Sequence, residues 1–217
     1  MYNGNITDNK VAGTGDRVNG GGVAIVDGVF LMHNGMISEN VAHTGGGVAL
    51  SRSSFTMNDG VITQNSAINH IQGAGGIRIL SSNVVIYAGE ISMNDAGTGF
   101  GGGISLETNI FAGPPLLLML GGTVSGNRAN YGGGVFMASG DLIMAGGIVY
   151  GSEETGVDST LSNSVRFLGA ALYLYSRANA NYGDFSDILP HTEGELGFTD
   201  YTIIGRYAND FLPNLNP

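Results

Sequence analysis

Apolar and polar residues alternate through most of this chain in short runs, the period that puts successive side chains on opposite faces of an extended strand. Gly22-Val23-Ala24-Ile25, Gly47-Val48-Ala49-Leu50, Gly76-Ile77-Arg78-Ile79, Gly103-Ile104-Ser105-Leu106 and Gly134-Val135-Phe136-Met137 share one phase, each closing a glycine triplet or near-triplet. Eight residues after the last glycine a second apolar pair follows: Phe30 and Met32, Phe55 and Met57, Val84 and Ile86, Leu142 and Met144. Five residues beyond the first of each pair, a glycine opens the pattern G-x-[IV]-[ST]-x-N. Its copies run from Gly35 to Asn40, Gly60 to Asn65, Gly89 to Asn94 and Gly122 to Asn127, with an earlier one from Gly4 to Asn9. A sixth, Gly147 to Ser152, ends in serine.

The spacing turns these strands into a repeat. Asn40, Asn65, Asn94 and Ser152 each lie eighteen residues after the last glycine of their triplet; Asn127 lies twenty-four after Gly103, and that extra length includes Pro114 and Pro115. An insertion that keeps register on both sides belongs in a loop. From each asparagine to the next triplet the distance varies between seven and thirteen residues rich in Gly, Asn, Asp, Thr and His, the composition of turns. Three period-two strands, two tight corners and one elastic corner in each period predict an all-β fold, a right-handed parallel β-helix of about six to seven coils with three short strands in each. Coils about 4.8 Å apart would file like residues along the axis: Ile6, Ile37, Ile62, Ile91, Val124 and Val149 in one core file, and Val23, Val48, Ile77, Ile104 and Val135 in another. Asn9, Asn40, Asn65, Asn94 and Asn127 would form a structural ladder of amides, with asparagine taking up the left-handed backbone of a sharp corner.

Composition agrees with that architecture. Glycine supplies 38 of 217 residues, against a usual share of roughly 7%, a load that helices would not tolerate. The 42% hydrophobic content suffices for one core. Gly169-Ala170-Ala171-Leu172-Tyr173-Leu174 reads as a further triplet strand with alanine in place of glycine. Residues 1–175 are thus read as solenoid, and 176–217, dense in aromatics such as Tyr182, Phe185, Phe198, Tyr201, Tyr207 and Phe211, as an irregular cap of the same domain. The chain opens inside a coil, which reads as a piece of a longer array. Eighteen acidic and eight basic residues leave a formal charge of −10, which opposes binding to nucleic acid. The absence of cysteine removes disulfides and thiolate chemistry. No apolar run approaches the roughly 18 residues of a membrane span, and Met1-Tyr2-Asn3-Gly4 does not begin a secretory leader.

The runs Ile37-Ser38-Glu39-Asn40-Val41-Ala42, Ile62-Thr63-Gln64-Asn65-Ser66-Ala67, Ile91-Ser92-Met93-Asn94-Asp95-Ala96 and Val124-Ser125-Gly126-Asn127-Arg128-Ala129, each followed by GG[VI], carry a resemblance. The pattern resembles the F-x-x-N and GGA[ILV] repeats of bacterial polymorphic outer-membrane proteins and related β-helical surface proteins, over about residues 4–175, with Ile or Val in place of the Phe. The resemblance implies a non-catalytic secreted or cell-surface protein of a bacterium, an adhesin-like passenger or stalk whose loops meet host or environmental glycans or proteins.

Parallel β-helices also carry pectin-lyase-like polysaccharide lyases and glycoside hydrolases, the alternative reading, which the individual residues must support. Such enzymes need clustered carboxylates. The residues before the asparagines are Asp8, Glu39, Gln64, Met93 and Gly126, one acidic pair at most. Gly13-Thr14-Gly15-Asp16 resembles a single calcium-binding turn without tandem copies. Asp187, Glu193, Glu195 and Asp200, with His191, form an acidic stretch in the cap, read as solvated surface. His33, His43 and His70 lack the spacing of a zinc set. No catalytic, cofactor or metal residue is therefore assigned. The hydroxyl file Thr7, Ser38, Thr63, Ser92 and Ser125 is a candidate surface array, read first as structural hydrogen bonding. Tyr87, Phe100, Tyr131 and Tyr150, near corners, are the candidate ligand-contact residues.

Overall fold

A computed structural model describes residues 1–11, 20–68, 72–151 and 159–182. Every strand pair among them is parallel and no helix occurs. The first ladder stacks Val23–Val26, Val48–Ser51, Ile77–Leu80, Ile104–Glu107 and the opening residues of Val135–Val149 and Leu172–Tyr182. The second stacks Val29–Met32, Ser54–Met57 and Asn83–Ile86 on the first half of Leu116–Ser125, which in turn pairs with the middle of Val135–Val149. The third runs from Asn5–Thr7 through Met36–Ser38, Val61–Thr63 and Glu90–Ser92 to the far ends of those two long strands. The chain is a parallel β-solenoid.

Three details differ from the sequence reading. Val23, Val48, Ile77, Ile104, Val135 and Leu172 are successive rungs, which makes about five complete turns rather than six to seven. In the later turns strands fuse, the second with the third in Leu116–Ser125 and all three in Val135–Val149, while a fourth short ladder follows the asparagines, pairing Val41–Ala42 with Ser66–Ala67 and Arg128–Tyr131 with Ser164–Leu168. The last strand also continues past residue 175 to Tyr182, where it pairs with Met144; the stretch from 183 onward lies outside the described residues.

Each turn closes around the same five inward files. Ile37, Ile62, Ile91 and Val124 meet Val48, Ile77 and Ile104, Leu50, Ile79 and Leu106, Phe55, Val84 and Leu117, and Met57, Ile86 and Met119 in one continuous buried core. Each of these side chains contributes roughly 1.5–3 kcal/mol on burial, and stacking lets every turn use its neighbours to complete its own core. The Ala of N-x-A, at Ala42, Ala67, Ala96 and Ala129, is also buried, where the fourth ladder closes the section.

The corners show why particular residues recur. The residues before the asparagines take the left-handed conformation, with φ of 55° at Asp8, 57° at Glu39, 54° at Gln64, 52° at Met93 and 61° at Gly126. The asparagine itself does not, contrary to the sequence expectation. Gly35, Gly60 and Gly89, which open the G-x-[IV] strands, have φ of 112°, 111° and 100°, and a Cβ at Gly60 would come within 2.7 Å of the Gly35 carbonyl oxygen.

The six-residue insertion is a surface loop between Glu107 and Leu116, and its tip exposes Ile110 and Phe111, the latter 90% accessible. In the preceding turn only Ser81 and Ser82 bridge Leu80 and Asn83. Deleting Asn109 to Pro114 restores that two-residue link and is expected to change stability by less than about 1 kcal/mol, because loop length enters closure entropy only weakly. Thermal denaturation monitored by circular dichroism reads the outcome, and a collapse of the cooperative transition would contradict it.

Candidate functional site

The asparagine file is a continuous hydrogen-bonded stack. Asn65 Nδ2 donates to Asn94 Oδ1 at 3.0 Å and to the Ile37 carbonyl at 2.9 Å, and Asn65 N donates to the same Asn94 oxygen at 3.0 Å. The unit recurs at Asn40, Asn94 and Asn127. Each amide oxygen thus accepts twice and each amide nitrogen donates twice, a fully used amide. Asn9 joins through Asn40 Oδ1 at the exposed first turn. The sixth member is Asn163, not Ser152: it accepts from Asn127 N and Nδ2, and Ser152 lies outside the described residues. A long excursion follows Val149 and Tyr150, and register returns at Asn163-Ser164-Val165, the counterpart of Asn127-Arg128-Ala129. That N-x-[small] signal, eight residues before Ala171, was present in the sequence. From Asn40 to Asn163 the file is buried and its bonds are internal, so it is scaffold rather than contact surface.

The hydroxyl file is not a surface array. Ser38, Thr63, Ser92 and Ser125 are buried, with Ser38 Oγ donating to Thr7 Oγ1 and Ser92 Oγ to Thr63 Oγ1, both at 3.2 Å. Asp8 and Glu39 occupy adjacent exposed corner positions beside Gln64 and Met93. His33 stacks on Tyr2 and its Nδ1 lies 3.0 Å from Asn58 Nδ2. Among the described residues no three His, Asp or Glu side chains gather. His70, the Gly13 to Asp16 stretch and the acidic segment with Asp187, His191, Glu193, Glu195 and Asp200 lie outside the described residues.

A site with distinct chemistry lies on the outer face of the first ladder. Before each glycine pair the chain folds back across the strand that follows: a Cβ at Gly45 would lie 2.9 Å from Ala49 Cβ, at Gly101 2.9 Å from Ser105 Cβ, at Gly132 2.8 Å from Phe136 Cβ and at Gly169 2.7 Å from Tyr173 Cβ. The outward file reads Ala24, Ala49, Arg78, Ser105, Phe136 and Tyr173. The residue preceding the fold-back reads Thr44, Gly73, Phe100, Tyr131 and Leu168. Small residues therefore give way to rings over the last rungs. Phe100 stacks on Phe136 at 4.5 Å, Phe136 on Tyr173 at 5.7 Å, and Tyr131 packs at 5.2 Å against both Tyr173 and Phe167.

Phe100, Tyr131, Phe136 and Tyr173 line a groove of about 1040 Å³ together with Asn109, Ile110 and Pro114 of the insertion loop and Tyr175, which is 58% exposed. Burial, together with the phenols of Tyr131 and Tyr175, pushes the Tyr173 phenol above its usual value, so its hydroxyl stays neutral at physiological pH. Glu107 also lines the groove, and its carboxylate accepts from Arg78 Nη2 at 2.9 Å. Both residues are almost fully buried, 4% and 7% accessible, and Arg78 Nε and Nη1 and Ser105 Oγ meet no protein partner there. Of the four aromatic candidates, the structure brings Phe100 and Tyr131 together in this groove. Tyr87 stands alone and exposed, and Tyr150 lies at the asparagine corner, where its carbonyl accepts from Asn163 Nδ2. Phe136, Tyr173 and Glu107 were missed because they sit within strands; their signal was a large or charged residue in the outward phase.

A second groove, of about 560 Å³, follows the fourth ladder, where Arg128 and Arg166 stand near Asn130 and Ser164. Arg128 lies 3.6 Å from Asp95. A third feature is the exposed bidentate pair of Arg52 with Asp27, at 2.7 and 2.6 Å. Hydrogen bonding to the Arg52 guanidinium holds the Asp27 carboxyl below the usual carboxylate range. The sign follows: the pair's contribution is present above the ordinary aspartate range and fades as pH falls through the lowered value. Carboxyl carbon NMR titration should show Asp27 returning to an ordinary value in Arg52→Gln; an unchanged titration would rule out the pairing in solution.

Compared with known proteins, the chain matches no family model, no curated protein and no solved structure.

Proposed function

We propose that this chain is the non-catalytic binding solenoid of a secreted or cell-surface bacterial protein, adhesin-like, which presents a ligand groove on a rigid stack. One observation carries the reading: the outward file changes from Ala24 and Ala49 to Phe136 and Tyr173 at the rungs where the insertion loop lines the same groove. The inward core is complete without those rings; Phe136, 4% accessible, backs the half-buried Tyr173 and the exposed Tyr175 at the groove. A scaffold of constant turns with loops of unequal length is the arrangement in which variation at the loops alters contact without disturbing the fold. The I-x-x-N-x-A and GG[VI] repeats support the surface-protein reading through their likeness to polymorphic outer-membrane protein repeats, whose partners are host or environmental glycans and proteins.

The test is saturable binding of the whole chain to immobilised cell-surface and matrix polymers, with release of reducing ends followed in the same wells. Binding with no product is expected. Absence of binding to every surface would sink the proposal, and product release abolished by an Asp or Glu substitution would replace it with the lyase or hydrolase reading.

A further inference from the structure

Resting on that reading, we infer that the groove over Phe136 and Tyr173 takes uncharged, hydroxyl-rich sugar rings and discriminates against uronate-bearing chains. Its volume lies at the upper end of the roughly 300–1,000 Å³ of ligand sites, room for an oligosaccharide rather than an ion. Aromatic walls offer apolar area at low entropic cost. The rim supplies neutral polar groups: Ser139, Asn109 and the phenol of Tyr173.

Charge decides between ligand classes. Among the described residues Glu107 is the carboxylate that lines the groove, and the Arg78 guanidinium pairs with it at 2.9 Å. A compensated carboxylate accepts hydrogen bonds from sugar hydroxyls without demanding a cationic partner. Among the described residues no Lys or Arg lines the groove to meet a uronate, and the net charge of −10 repels polyanions. Two exposed cations, Arg128 and Arg166, line the second groove instead.

The experiment is a glycan array of neutral hexose and N-acetylhexosamine chains beside uronate chains, probed with the full chain. Three groove variants, Tyr175→Ala, Tyr173→Ala and Glu107→Gln, are compared with Tyr2→Ala as a surface control. Neutral chains are expected to bind, with Kd raised about tenfold by Tyr173→Ala or Tyr175→Ala and unchanged by Tyr2→Ala. Glu107→Gln leaves the Arg78 charge uncompensated, so it should lose selectivity and gain uronate binding, a change that a purely structural role would not produce. Tyr175 is exposed, so its variant reads the groove even if the buried substitutions fail to fold. Preference for uronates by the unaltered chain, or neutral binding that Tyr175→Ala leaves intact, would overturn the inference. Adhesion to cell surfaces that neutral oligosaccharides do not compete would overturn it too, while leaving the surface-binding reading standing; loss of all adhesion would remove both.

Discussion

Asn94→Ala is expected to destabilise the solenoid by about 4 kcal/mol, while Asn9→Ala costs about 1 kcal/mol or less. Removing the Asn94 amide leaves Asn65 N and one Asn65 Nδ2 hydrogen without Asn94 Oδ1, and takes one donor each from the Ile62 carbonyl and Asn127 Oδ1. A buried polar group left without its partner costs about 1–3 kcal/mol, and a fully enclosed file has no easy route for water to replace the amide. Asn9 lies at the exposed first turn, where solvent substitutes for its bonds. Urea denaturation of the two variants at constant m-value checks the contrast; equal small losses would show that the ladder is dispensable. Asn94→Asp should be as damaging at neutral pH, because its second oxygen faces the Ile62 carbonyl and Asn127 Oδ1, both acceptors. That penalty should shrink as the pH falls and the carboxyl regains a proton to donate.

The same ladder shows what could be read in advance. The files of Ile37, Ile62 and Ile91, and of Val48, Ile77 and Ile104, follow from spacing alone, because stacking converts equal intervals into vertical contact. The insertion with Pro114 and Pro115 was legible for the same reason: register on both sides was kept. Asn163 was obscured because the excursion after Tyr150 breaks the fixed interval that located the other members. The left-handed corner was assigned one residue late, since asparagine tolerates that conformation but here spends its side chain on the stack, leaving Glu39, Gln64 and Met93 to turn the backbone. The groove was half legible. Phe100 and Tyr131 stood out because they occupy corners, whereas Phe136 and Tyr173 looked like ordinary strand residues until the fold-back over Gly132 and Gly169 set their outward faces beside the rings. Arg78 and Glu107 are 29 positions apart, and only stacking brings them together.

Gly75→Ala is the substitution expected to abolish cooperative folding, or to cost at least about 3 kcal/mol, the upper range of overpacking. The reason is proximity rather than backbone freedom, because Gly75 does not adopt a positive φ. A Cβ there would lie 2.5 Å from the Gly102 carbonyl oxygen, 2.6 Å from Asp95 N and 2.8 Å from Asp95 C, all backbone atoms of the adjoining turn. No rotamer change relieves such a contact; the turns must separate and give up the bonds from Gly75 N to Gly101 O and Gly76 N to Gly102 O. Gly46, Gly102 and Gly133 share the constraint, with backbone oxygens at 2.4, 2.5 and 2.7 Å. Ala170 and Ala171 fill the equivalent file positions on the last described rung, beyond which the described residues place no further turn. The glycine pair is thus required where backbone oxygens of a stacked turn would lie 2.4–2.7 Å from an added carbon. Gly113→Ala, in the exposed insertion loop with no atom within 4 Å of the added carbon, is the control and should be neutral or gain about 0.4–1 kcal/mol. Thermal melts of both variants decide the point: a cooperative transition near that of the unaltered chain in Gly75→Ala would mean that neighbouring turns do not approach as closely as 2.5 Å in solution.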